Sequence, residues 1–196
     1  MSVQNCYLCG SDQYTMRSGS VRDKPEIKVL ECVVCGLVYL SSLEHIRKDH
    51  YEESGMHDGL EPDLHAWLKE TQRDDERRYQ FLKVQMSNKS ILDFGCGAGG
   101  FLDYAQHSAR KVTGIELEKA LQPSFKQRGL NVFSDLQAAL EDVNKWDLIT
   151  AFHVVEHLSD PRTMLKELSS LLDEDGRLII EVPSSDDALL TLYNNE

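Results

Sequence analysis

Three groups of residues in this chain combine types and spacings that chemistry can use. The first is the stretch Ile91-Leu92-Asp93-Phe94-Gly95-Cys96-Gly97-Ala98-Gly99-Gly100. An apolar run ends in an acid, and a glycine-rich turn follows before Phe101 to Ala105 opens a helix. Glycine tolerates positive φ and lacks a Cβ, so such a turn lets backbone approach a ligand at the carboxyl end of a strand. Dinucleotide sites use G-x-G-x-x-G to present a helix N-terminus to a pyrophosphate. Here a carboxylate precedes G-x-G, which suits a ligand carrying positive charge. Glu116 closes the next apolar run, Val112-Thr113-Gly114-Ile115, about where an acid that grips ribose hydroxyls belongs. Cys96 lies inside the turn, where its small side chain fits, and reads as neither metal ligand nor nucleophile.

The second group is two cysteine pairs, Cys6-Tyr7-Leu8-Cys9-Gly10 and Cys32-Val33-Val34-Cys35-Gly36, with 22 residues between them. Each pair curls so that both sulfurs face one point, and the following glycine relieves the tight turn. Two such knuckles supply the four thiolates of a structural zinc site, with rubredoxin-type iron as the other metal that geometry allows. Between them, Tyr14 to Arg22 and Glu26 to Glu31 read as hairpin strands. A module of about forty residues is too small to stand on its core, so the metal stands in for one.

The third group is His153-Val154-Val155-Glu156-His157-Leu158-Ser159-Asp160-Pro161. An imidazole titrates near neutral pH and can take a proton from an acidic hydroxyl or carbon. The plainer reading has Glu156 and His157 anchoring a loop by hydrogen bonds. A second metal at these residues finds no support elsewhere in the chain.

The elements that must position these groups alternate. After the glycine turn come a helix at 101–108, a strand at 111–115, a helix at 120–128 and a strand at 131–133. A helix at 136–140, a strand at 146–151, a helix at 161–172 and a strand at 177–182 complete the series. This alternation implies an α/β fold, a doubly wound parallel sheet with helices on both faces. Upstream, Leu43-Glu44-His45-Ile46 opens one helix and Asp63 to Met86 forms another, with Leu64, Trp67, Leu68, Tyr79, Phe81 and Leu82 as a partial apolar stripe. The run Arg73-Asp74-Asp75-Glu76-Arg77-Arg78 reads as a solvated face. Tyr51 lies before a loop that could fold over a ligand, or it simply packs. The expected division is 1–40 as a four-cysteine module, 41–89 as a helical linker or lid and 90–196 as the α/β domain.

Asp93-Phe94-Gly95-Cys96-Gly97 resembles the D-x-G-x-G signature of class I S-adenosylmethionine-dependent methyltransferases, over about Ser90 to Pro183. The resemblance implies that Asp93 and the Gly95, Cys96 and Gly97 turn hold the methionine portion of the cofactor, and that Glu116 accepts both ribose hydroxyls. Asp135, just past the third strand, either accepts from the adenine amine or caps the next helix. Ala151 and His153 fall where the fourth strand opens beside the sulfonium. The segment after that strand is similar to the family's Glu-His-x-x-Asp-Pro ending. It implies His157 as first candidate base, His153 as second, and Glu156 beside them. The four-cysteine module, helical linker and α/β fold together resemble methyltransferases of nucleotide-linked deoxysugars, which implies a sugar as acceptor. A ribosomal RNA methyltransferase with a zinc module, and a fragment that binds cofactor or a partner without turnover, are the alternatives. The family's fold adds a helix and two strands after this point, and thirteen residues follow Pro183. The resemblance therefore implies truncation after strand five, with a further domain or a second chain completing the sheet edge.

Composition sets outer bounds. At 196 residues and 41% hydrophobic, the chain can bury a sizeable core. Its net charge of −12 counts against a broad nucleic-acid footprint, which needs Lys and Arg to displace counterions. No membrane-spanning run or signal peptide is read, which points to the cytoplasm, where cysteines serve metal sites more than disulfides.

Overall fold

The computed structural model of the chain describes residues 5–19, 21, 24–43, 62–142 and 144–186. The expected helix opening at 44–46, Tyr51 and the tail beyond Asp186 lie outside the described residues. The chain divides into two compact units. One comprises Met1–Arg47, Glu156–Leu165 and Val182–Glu196, and the other Lys48–Val155 and Lys166–Glu181.

In the first unit, β1 (Tyr14–Met16), β2 (Val29–Cys32) and β3 (Val38–Leu40) form an antiparallel sheet in that order. Tyr14 stands opposite Cys32, and Val29 opposite Leu40. Leu30, Tyr39, Cys6 and Cys32 make its buried centre. The Tyr7 hydroxyl donates to Leu40 O at 2.5 Å, and the Tyr7 and Tyr39 rings meet edge-on at 5.2 Å. The hairpin strands are shorter than the sequence suggested. All three β1 residues are exposed, so little burial supports that strand. The third strand, a three-residue piece too short to show alternation, was not expected.

The second unit holds α1 (Leu64–Met86), β4 (Ser90–Phe94), α2 (Gly100–Ala105), β5 (Lys111–Ile115), α3 (Gln122–Arg128), β6 (Asn131–Phe133), α4 (Leu136–Glu141), β7 (Trp146–Phe152) and β8 (Leu172–Glu181), while α5 (Pro161–Ser170) spans both units. The strands pair in the order β6-β5-β4-β7-β8, parallel throughout. This is the expected doubly wound α/β sheet. The chain leaves β4 toward β5 on one side and takes up β7 on the other, and the carboxyl end of β4 is the ligand position in such sheets.

Strands β5 and β6 fall where the sequence placed them, β5 with its last three residues buried and β6 a three-residue piece between Gly129 and Asp135. Asp63 caps α1 by accepting from Ala66 N at 3.0 Å. Leu82 and Met86 of α1 pack with Ile91, Phe101, Ala105 and Leu148. Each such buried side chain contributes about 1.5–3 kcal/mol and fixes which face of α1 looks inward. The strand β8 begins earlier than expected. Leu172 pairs with Trp146, the register then shifts, and regular pairing resumes at Arg177 opposite Leu148. Gly176 sits at the shift, where a Cβ would lie 2.8 Å from Trp146 O. The preceding helix ends at Ser170, and Leu171 O accepts from Trp146 N at 3.0 Å.

Candidate functional site

Asp93 ends the apolar run of β4 and is buried, with its Oδ1 accepting from Thr150 Oγ1 at 2.6 Å. The two residues are register partners on β4 and β7. Burial pushes the Asp93 carboxyl up to about 7, against the Thr150 hydrogen bond, and nearby Asp75 and Glu116 add to the rise. The turn that follows is held by its own amides. Gly95 N and Cys96 N both donate to Ile115 O, at 2.9 and 3.0 Å. Gly97 N donates to Glu116 Oε2 at 2.7 Å, and Glu118 N to Glu116 Oε1 at 2.9 Å. Around Asp93 the carboxylates of Asp75 and Glu116 outnumber the Arg78 guanidinium, a balance that favours a cationic ligand over an anionic one. Burial also raises the Glu116 carboxyl, with the Glu118 and Gly97 amides opposing.

Gly95 has φ of 72°, and a Cβ there would lie 2.4 Å from Val154 Cγ2, so both conformation and space demand glycine. A Cβ at Gly97 would come within 3.1 Å of the Trp67 indole of α1. Cys96 turns its thiol into the cluster of Leu102, Leu121, Phe125 and Leu130, where it packs over Gly114. Burial pushes that thiol well above its ordinary range. Behind the turn, Arg128 donates to Ala98 O and Gly99 O, at 2.5 and 3.2 Å, and pairs with Asp103.

The mixed charge run on α1 is not all solvated, contrary to the sequence reading. Asp75 is buried and pairs with Arg78 at 3.4 Å, and the Arg78 side chain is only 10% exposed. Arg78 lies over the Phe152 ring at 4.7 Å and donates to Glu181 Oε1 through Nη2 at 2.7 Å and Nε at 3.0 Å. Arg77 Nη2 reaches both Glu181 oxygens at 3.0 Å. Burial raises the Glu181 carboxyl, but the Arg78 and Arg77 bonds outweigh it and hold the group below its usual range. Helical phase was the signal for Asp75 and Arg78, since they stand seven and four residues before Leu82 on the inward stripe. Arg128 and Glu181 left no local signal, because their partners are distant in sequence.

His153 follows β7 with φ of 55°, a left-handed conformation that costs a non-glycine residue on the order of 1–3 kcal/mol. Its N–H donates to Glu181 O at 2.8 Å, and its Nε2 lies 3.2 Å from Glu181 Oε1. Ala151 is fully buried within β7. Asp135 adopts the capping role, accepting from Ala138 N at 2.8 Å. In the other unit, His157 Nε2 lies 4.0 Å from Glu156 Oε1. Asp160 caps the next helix by accepting from Thr163 N at 3.1 Å.

The first unit brings Cys6, Cys9, Cys32 and Cys35 together, with all four sulfurs within 4.8 Å of one another. Cys6 and Cys35 sulfurs are 3.6 Å apart, and those of Cys9 and Cys32 are 3.5 Å apart. A tetrahedral Zn–S site with bonds of about 2.3 Å has sulfur separations of about 3.8 Å, so the cluster has the right size. Gly10 and Gly36 take positive φ and donate back to Cys6 O and Cys32 O at 2.9 Å, closing each knuckle. Desolvation would raise the Cys32 thiol, but the Cys35 and Val34 amides and neighbouring thiols bring it down to about 6.

A family profile describing a methyltransferase domain matches residues 64–195. A ubiquinone biosynthesis O-methyltransferase of Coxiella burnetii is 32% identical over 110 residues, 52% of this chain and 46% of that protein. One of Glaesserella parasuis is 30% identical over 105 residues, 47% of this chain and 44% of the relative. The chain thus spans less than half the length of the curated relatives it matches. Among solved structures, the N-methyltransferase NodS from Bradyrhizobium japonicum, in complex with S-adenosylhomocysteine, aligns with TM-score 0.54 and 19% identity, over 66% of this chain and 72% of that one. The magnesium protoporphyrin IX methyltransferase from Synechocystis, with bound S-adenosylmethionine, aligns with TM-score 0.52 and 19% identity, over 79% and 86%. These two likenesses concern the fold. With the profile covering most of its length, the chain belongs to the methyltransferase-domain family.

Proposed function

We propose that this chain is an S-adenosylmethionine-dependent methyltransferase whose acceptor is a sugar, nucleotide-linked or part of a glycan precursor. The observation that carries the transferase reading is the pair of acids, buried Asp93 and half-buried Glu116, at the point where the strand order of the sheet reverses. The cofactor supplies a methyl group on a sulfonium, open to in-line displacement. Asp93 is assigned to its ammonium end, with Gly95, Cys96 and Gly97 forming the turn beneath it. Glu116 is assigned to the ribose diol, Asp135 to the adenine amine from its place at the helix cap, and Ala151 and His153 to the end of β7. Holding the acceptor about 3 Å from the methyl group supplies most of the rate gain. Proton removal adds about 10²–10⁴. His157 is the first candidate base and His153 the second, with Glu156 as partner.

Cys6, Cys9, Cys32 and Cys35 hold one structural zinc in this reading, iron being the other metal the thiolates fit. A closed four-sulfur site leaves no coordination position for catalysis. Residues 1–40 then form the metal module, 41–89 the linker or lid, and 90–196 the transferase domain, acting in the cytoplasm. Among the described residues no helix is long and apolar enough to cross a membrane. A second copy or a further domain beside β8 would extend the sheet.

The sugar reading rests on the order of metal module, linker and fold. The names of the curated relatives favour a second reading, a hydroxyl on a quinone precursor. Labelled cofactor offered to nucleotide-sugars, a hydroxyl-bearing quinone precursor and ribosomal RNA in parallel separates the readings. Label in the sugar pool alone is the expected result. Label in RNA or the quinone precursor alone overturns the sugar, and full activity in His157→Ala overturns the first candidate base.

A further inference from the structure

We infer that Glu181 is a positioning residue for His153, fixing its imidazole so that Nδ1 is the nitrogen able to take a proton. Glu181 is the last residue of β8, and it holds His153 twice. Its carbonyl accepts the His153 amide at 2.8 Å, one step past the last register pair, Phe152 with Glu181. Its carboxylate lies at hydrogen-bond distance from Nε2, 3.2 Å away. An imidazole that donates from one ring nitrogen presents the other as acceptor, so this contact selects the tautomer.

The carboxylate is itself fixed. Arg78 approaches it from a largely buried position with two bonds, and Arg77 adds contacts to both oxygens. Arg78 is anchored in turn by Asp75 and by the Phe152 ring. A surface ion pair would need none of this support. The chain also maintains a left-handed backbone at His153, a conformation that persists where surrounding contacts over-determine it. Two guanidinium groups thus hold the Glu181 carboxylate, and that carboxylate and the Glu181 carbonyl hold the half-exposed His153 at the end of the strand that borders the proposed cofactor site. The assignment rests on the transferase reading only for the source of the proton that Nδ1 would accept.

A 15N-correlated proton spectrum of the full chain at pH 8 tests it, with His153→Gln identifying the resonance. An imidazole N–H exposed to water exchanges too fast to observe, whereas one held by a carboxylate is retained. The expected result is a visible His153 Nε2–H proton whose solvent exchange accelerates at least tenfold in Glu181→Ala, with Glu181→Asp restoring part of the protection. Absence of that proton in the unaltered chain, or its presence on Nδ1, overturns the assignment even if Glu181→Ala fails to fold. Unchanged exchange in a folded Glu181→Ala overturns it as well. Calorimetry of S-adenosylhomocysteine with the unaltered chain tests the transferase reading separately, since its failure leaves the tautomer result standing.

Discussion

Thr150 Oγ1 donates to Asp93 Oδ1 across 2.6 Å, and both side chains are buried between neighbouring strands. The hydroxyl fixes one carboxylate oxygen but does not offset the cost of burying charge, so the acid sits near 7 instead of its ordinary 3.8. A folded value above the unfolded one means that this group favours the unliganded fold below about pH 4. That contribution is lost as pH rises toward 7. A cationic ligand requires the ionised form. Affinity for S-adenosylmethionine should therefore rise about tenfold between pH 6 and pH 8, with proton release on binding at the lower pH. Calorimetry in two buffers of different ionisation enthalpy reads both effects. Thr150→Val should move the rise to higher pH, and Asp93→Asn should flatten the profile.

Glu116 already joins Gly97 N and Glu118 N, so its loss affects the turn as well as the proposed diol contacts. Glu116→Ala is expected to weaken cofactor binding by roughly 2–4 kcal/mol if two charge-assisted bonds go. It should also lower fold stability by about 1–3 kcal/mol for the amides left unpaired. Titration calorimetry and urea unfolding report the two losses separately, and unchanged affinity would remove Glu116 from the site.

Gly114 lies under Cys96, and a Cβ there would come within 2.6 Å of the Cys96 sulfur and 2.8 Å of Leu102 Cδ1. Gly114→Ala should therefore cost about 1–3 kcal/mol through overpacking. In a Cys96→Ala background the cost should shrink by at least about 0.5 kcal/mol, because the sulfur is no longer in the way. A double-mutant cycle by denaturant unfolding measures the coupling, and simple additivity would contradict the packing role given to Cys96.

Elemental analysis of protein purified without chelator should find one zinc per chain. Cys32→Ser should abolish it and melt the sheet of β1, β2 and β3, since a unit this small has little core of its own. Cofactor binding should survive in that variant. Purified protein holding neither zinc nor iron would end the metal assignment.

The parts legible in the sequence were those whose physics is local. Asp93, the glycine turn and Glu116 announce themselves because an acid and glycines at strand ends have few structural reasons to be there. The cysteine knuckles were legible for the same reason. Strand β6 was readable although short, because Gly129 and Asp135 bracket it. What stayed hidden depended on tertiary partners. Asp75 and Arg78 share the inward phase of Leu82, but the partner that holds Arg78, Glu181, is distant in sequence and left no local sign. The start of β8 was obscured because Asp173 to Gly176 form an irregularity that no periodicity reveals. The third strand of the small sheet exists because Tyr39 covers Leu30 and the cysteines, a demand set by the cluster and not by its own three residues.

Arg128 grips the glycine turn through Ala98 O and Gly99 O, and is itself held by Asp103. The loop is therefore ordered before any ligand arrives, and association need not freeze it. Loops that must be immobilised on binding forfeit part of the interaction energy as lost conformational entropy, about 0.5–1.5 kcal/mol for each mobile side chain. Releasing the turn at Arg128 would lower affinity while leaving every ligand-facing atom in place. The loss would register as a less favourable binding entropy and a slower association, with the enthalpy of contact little changed.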